Sequence, residues 1–179
     1  MTGDRHQAQR APSAWVARFA PLVPPGAQVL DLACGGGRHS LLFLERGCRV
    51  LAVDRELSGL AHLAHWPALE RREIDLEEGA PFPPAGAAFD AVVVVNYLHR
   101  PLLPRLVDAV APGGVLIYET FARGNEVFGR PRNPDFLLKP GELLEAVQGV
   151  LRVLAYKDLV EETPVAKAVQ RICARRETS

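Results

Sequence analysis

The chain has little of what marks a secreted, metal-bound or membrane-spanning protein. Three cysteines in 179 residues, Cys34, Cys48 and Cys173, are too few and too scattered for a disulfide framework or a metal site. They read as small hydrophobes in a reducing compartment. No apolar run approaches the roughly 20 residues that cross a bilayer. The start, Met1-Thr2-Gly3-Asp4-Arg5-His6, is polar and lacks the apolar stretch of a signal peptide. An excess of one charge is missing too, since 21 basic and 21 acidic residues cancel. No global field then draws the chain to nucleic acid or to a membrane. Repeats and low-complexity tracts are absent. The expectation is a cytoplasmic monomer or weak homodimer.

What is present is globular. Apolar residues make up 48% of the chain, enough for one domain over residues 1–179 with a sizeable core. Abundant Ala, Arg, Pro and Val is compatible with a GC-rich bacterial genome. Residues 1–11 read as a mobile polar arm. Residues 12–20 fit a short amphipathic helix carrying Trp15, Val16 and Phe19.

The most informative stretch is Val29-Leu30-Asp31-Leu32-Ala33-Cys34-Gly35-Gly36-Gly37-Arg38-His39-Ser40. It reads as a buried strand, a glycine turn and the start of a helix. Such a turn lets a nucleotide-like ligand lie against backbone. Asp31 at its mouth would repel a pyrophosphate and attract an ammonium group. S-adenosylmethionine carries an ammonium, a sulfonium and no phosphate, so the charge pattern favours it over NAD, FAD or ATP. A second apolar run ends in Asp54, placed to accept hydrogen bonds from ribose hydroxyls. Asp75 can accept from an adenine amino group, with the Leu76 N–H serving a ring nitrogen. Four consecutive valines at 92–95 mark a strand buried on both faces. The Asn96 carbonyl after it can hold an ammonium group. Helices are expected at 38–46, 57–65, 102–110 and 141–147. A strand is expected at 115–120, following the turn Ala111-Pro112-Gly113-Gly114. Strands at 150–160 and 166–174 are too close for a crossover and suit an antiparallel hairpin.

With these motifs in this order, the chain resembles the class I S-adenosylmethionine-dependent methyltransferases over residues 27–120. Within them it looks most like the small-molecule and tellurite-resistance type enzymes. Ala33 departs from the family pattern, standing where the first glycine usually sits. The resemblance implies a Rossmann-like, doubly wound α/β domain. Its sheet would have seven strands, mostly parallel, with an antiparallel last strand. It also implies methyl transfer from S-adenosylmethionine, leaving S-adenosylhomocysteine, to a small-molecule acceptor. Cofactor contacts are expected from Asp31, Ala33, Cys34, Gly35, Gly37, Asp54, Arg55, Asp75, Leu76, Asn96 and Tyr97. No metal is expected.

His99 and Tyr97, just beyond the valine strand, are the candidate catalytic groups, with His99 as a general base. The segment 121–140 is too apolar and too rich in Gly and Pro for a linker or a single element. It is the candidate acceptor loop, carrying Arg123, Asn125 and Arg130, with Trp15 as a cover. The bland alternative pairs its arginines with Glu126 and Asp135. Three rival functions stand beside this reading: an RNA or protein methyltransferase, a non-catalytic cofactor-binding scaffold, and an NAD-dependent oxidoreductase. Asp31 argues against the last.

Overall fold

A computed structural model describes residues 11–79 and 81–179. The expected mobility of the N-terminal arm concerns residues outside these, apart from Ala11. Helix α1 (Ala14–Phe19) is followed by strand β1 (Gln28–Leu32), helix α2 (Arg38–Glu45), and strands β2 (Arg49–Asp54) and β3 (Leu69–Glu73). Strand β4 (Phe89–Val95), helix α3 (Leu103–Asp108) and strand β5 (Val110–Phe121) come next. Helix α4 (Glu142–Val147) and strands β6 (Arg152–Glu161) and β7 (Lys167–Arg175) close the chain.

The seven strands form one sheet in the order β3-β2-β1-β4-β5-β7-β6. Strands β1 to β5 run parallel, and β7 is antiparallel to both β5 and β6. The expected architecture is therefore observed, including the closing hairpin. The sequence order of the strands reverses between β1 and β4, the place where open α/β sheets bind ligands.

Alternation along the strands explains the two layers. Leu30, Leu32, Val92, Val94, Leu116, Tyr118 and Ile172 pack on one face with Leu106 and Val107 of α3 and Leu143 and Val147 of α4. Val29, Val50, Val93, Ile117 and Cys173 pack on the other, against Trp15, Val16 and Phe19 of α1 and Phe43 and Leu44 of α2. Burying each such Leu or Phe side chain stabilises the fold by about 1.5–3 kcal/mol.

Two expectations are corrected. The helix expected at 57–65 is a six-residue 3-10 segment, Ser58–Leu63. It is pressed against the glycine turn. A Cβ on Gly59 would lie 3.0 Å from the Gly35 carbonyl oxygen, and a Cβ on Gly37 would lie 2.5 Å from Leu60 Cδ2. The run Ala111-Pro112-Gly113-Gly114, expected between the helix at 102–110 and the strand at 115–120, lies within the long strand β5 instead, as an irregularity where the β4–β5 register shifts between Phe89 and Ala91. Gly114 permits it, since a Cβ there would sit 2.9 Å from the Ala111 and Asp90 carbonyl oxygens.

Candidate functional site

The carboxyl ends of the parallel strands open on a cavity of about 680 Å³, within the usual size range of small-molecule sites. Each of the five parallel strands contributes its end. Ala33 follows β1, Asp54 closes β2, Ile74 and Asp75 follow β3, Asn96 and Tyr97 follow β4, and Thr120 and Phe121 close β5. Arg55, Leu76, Glu77, Glu78, Leu98, Pro131 and Phe136 complete the wall.

Two wall residues adopt a left-handed backbone rare outside glycine, Ala33 at φ 53° and Asn96 at φ 57°. Asparagine tolerates that region and alanine resists it. The geometry at Ala33 shows why a glycine suits that position. Asp54 holds the glycine turn in place: its Oδ2 accepts the Gly35 N–H at 2.9 Å. Asp75 shapes the next turn by accepting the Glu77 N–H at 3.0 Å.

The Tyr97 hydroxyl is buried and makes no normal hydrogen bond among the described residues. Burial pushes its pKa up to about 12, helped by the charges of Glu77, Asp75 and Asp54. It stays a neutral hydrogen-bond donor at ordinary pH. A buried donor without a partner costs about 1–3 kcal/mol, and a ligand acceptor would relieve that cost.

Several expected site residues do not line this cavity. Asp31 is buried, and its Oδ2 accepts the Ser40 hydroxyl at 2.6 Å. Desolvation raises its pKa to about 6. The acidic character of the site comes instead from Asp54, Asp75, Glu77 and Glu78. Cys34, Gly35 and Gly37 form the turn beneath without reaching the wall, and burial raises the Cys34 thiol pKa out of the reactive range. His99 opens the 3-10 turn Arg100–Leu102 and is absent from the wall. Trp15 is a core residue whose Nε1 donates to the Ile172 carbonyl at 3.1 Å. Asn125 is buried with its amide fully engaged, Nδ2 donating to the Pro131 carbonyl and Oδ1 accepting the Ala168 N–H, both at 3.2 Å.

The loop at 121–140 folds back toward the cavity. An isolated parallel bridge joins Ala122 to Leu138. Arg100 donates to the Asp135 and Leu137 carbonyls at 2.8 Å and pairs with Glu142 at 2.6 Å. Pro131 and Phe136 thereby reach the cavity wall, and a second open cavity of about 600 Å³ adjoins them, lined also by Arg130, Arg132 and Asn133. Arg123 lines neither cavity.

Residues 29–114, from β1 through the β5 irregularity, match the model of a methyltransferase domain. Over this stretch, just under half of the chain, the sequence is similar to a methyltransferase domain. A curated relative, ubiquinone biosynthesis O-methyltransferase of Paracidovorax citrulli (strain AAC00-1), is 32% identical over 125 residues, covering 64% of this chain and 51% of that protein. The chain spans about half the length of that relative, and 37% of the length of the next. Among solved structures, TehB from Haemophilus influenzae superposes with a TM-score of 0.73 at 19% identity, covering 93% of this chain and 63% of that one. A Burkholderia thailandensis 1,6-didemethyltoxoflavin-N1-methyltransferase, solved with its acceptor and S-adenosylhomocysteine, gives 0.68 at 21%, covering 92% and 79%.

Against this methyltransferase frame, sequence reasoning missed Ile74, Glu77, Glu78, Leu98, Thr120, Pro131 and Phe136 as wall residues. Glu77 and Glu78 follow Asp75 directly, so the acidic run was a usable signal. Pro131 and Phe136 had none beyond their membership in the loop.

Proposed function

We propose that the chain binds S-adenosylmethionine in the larger cavity and transfers its methyl group to a small-molecule acceptor. The observation that carries this is a single wall holding four carboxylates and no basic residue except Arg55. That wall disfavours the phosphates of NAD or ATP and suits a cofactor bearing an ammonium and a sulfonium. Asp54 would accept ribose hydroxyls, Asp75 and the Leu76 N–H would meet adenine, and the Asn96 carbonyl would hold the ammonium. The Tyr97 hydroxyl, surrounded by Asp54, Asp75 and Glu77, supplies a donor on the same side.

The cofactor supplies an activated methyl group, so the chain's own task is alignment and exclusion of water. Leu98, Phe121, Pro131 and Phe136 give the wall its apolar part.

Calorimetry tests the reading. S-adenosylhomocysteine should bind and NAD should not. Binding of NAD alone would overturn it.

A further inference from the structure

We propose that Arg130 and Arg132 form a subsite for an oxyanion group of the acceptor, making the substrate class a small organic acid. The proposal rests on the methyltransferase reading and names the acceptor chemistry of that same site.

The cavity beside the cofactor wall is lined by Arg130, Pro131, Arg132, Asn133 and Phe136, and it shares Pro131 and Phe136 with that wall. A molecule resting against these two residues therefore has the acidic cofactor wall on one side and guanidinium groups on the other. Charge changes sign across the shared residues. A cationic cofactor and an anionic acceptor would each meet the complementary half.

The arginines are available. Neither Arg130 nor Arg132 makes an ion pair or a side-chain hydrogen bond among the described residues. The acids that would have neutralised them do not pair with them. Glu126 accepts the Gly124 N–H at 2.8 Å, and among the described residues no ion pair joins Asp135 to either arginine. By contrast, Arg100, Arg171 and Arg176 are all engaged. Guanidinium groups bind carboxylates and phosphates through paired N–H donors, and a free pair of them is a ready site for either.

The backbone that presents them is held from two sides. The buried Asn125 amide grips the Pro131 carbonyl between the two arginines, and ties the same loop to β7 through the Ala168 N–H. Arg100 grips the Asp135 and Leu137 carbonyls just downstream. Such anchoring lowers the ordering cost of binding.

The test uses the full chain saturated with S-adenosylhomocysteine, titrated by calorimetry with tricarballylate or with phenyl phosphate. At least one should bind, and which one separates a carboxylate site from a phosphate site. The double variant Arg130→Ala/Arg132→Ala should weaken that binding at least tenfold and leave S-adenosylhomocysteine affinity within twofold. Arg123→Ala, on the same loop but off both cavities, should leave anion binding within twofold. Failure of both anions to bind, unchanged affinity in the double variant, or an equal loss in Arg123→Ala would overturn the subsite. Failure of S-adenosylhomocysteine to bind would instead overturn the methyltransferase reading.

Discussion

Asp54 accepts the Gly35 N–H before any ligand arrives, so its removal acts on the free protein as well as on the complex. Asp54→Ala should lower apo stability by about 0.5–1.5 kcal/mol and weaken S-adenosylhomocysteine binding by about 1.5–3 kcal/mol. Thermal melts with and without ligand, beside calorimetry, separate the two effects. Asp54→Asn, which keeps an acceptor for Gly35, should recover most of the apo stability and little of the binding. Ala33 makes a contrasting case. Its left-handed backbone is strained, and Ala33→Gly should relieve about 1 kcal/mol of that strain. The melting temperature of the variant should rise or hold; a clear fall would show that the Ala33 methyl is needed for packing.

At the scale of elements, β1 and the start of α2 carry one group each, Asp31 and His39, whose proton equilibria oppose each other. His39 accepts the Ser13 N–H at its Nε2, at 3.0 Å, and burial with the adjacent Arg38 pushes its pKa down to about 3. An unfolded chain takes up that proton near pH 6.5. Stability therefore falls as pH drops through the window from about 6.5 to 3. Asp31 behaves in the opposite sense, keeping its proton to about pH 6 where the unfolded chain releases it near 3.8. Its contribution is lost as pH rises from about 4 to 6. Denaturant titrations at several pH values should show that Asp31→Asn raises stability at pH 7 relative to pH 4, while His39→Gln reduces the loss on acidification. Identical pH profiles for both variants and the parent would refute this assignment.

The same elements show which parts of the fold were legible. Strands β1 and β4 are buried on both faces, so their sequences are apolar runs that need no periodicity to be recognised. Strand β3, with four of five residues exposed at the sheet edge, carries no such mark. The 3-10 segment Ser58–Leu63 resembled a helix because Leu60 and Leu63 keep a helical spacing. Only its close approach to the glycine turn shortens it. Asp54 was legible as a wall residue because an acid ending an apolar strand has few structural reasons to be there, whereas Asp75 follows the polar β3 and was read from its place in the order of motifs. Asp31 lies outside the wall because it serves as a buried acceptor for Ser40. The place of Arg132 rather than Arg123 depends on Asn125 and Arg100, whose grips on distant carbonyls leave no pattern in the sequence.

At the scale of the whole molecule, the described residues divide by charge and function rather than by domain. The acidic wall lies toward the β1–β3 side of the sheet, and the two free arginines stand on the loop leaving β5. Zero net charge overall hides this local polarity, which is why composition alone disfavoured charged partners. Salt separates the two halves: anion binding at the arginines should weaken between 0.05 and 0.5 M NaCl by about tenfold, while neutral-buffer binding of S-adenosylhomocysteine changes far less. Equal salt dependence of both would argue against separate subsites.

Helix α1 is the first described element, and its Trp15 indole donates to Ile172 on β7, the last strand. Its cap residue Ser13 donates to Glu119 on β5, 106 positions away. During synthesis the bond from Trp15 to Ile172 cannot form until nearly the whole chain has left the ribosome. That bond closes the longest loop joined by a side-chain hydrogen bond among the described residues, and it belongs to the end of folding. In a Trp66→Phe background, the Trp15 fluorescence change on refolding should lag the gain of sheet signal. Simultaneous changes would mean that α1 joins the nucleus. A nascent chain stalled before β6 should expose Trp15 to quencher, making this helix the segment most in need of a chaperone's shelter.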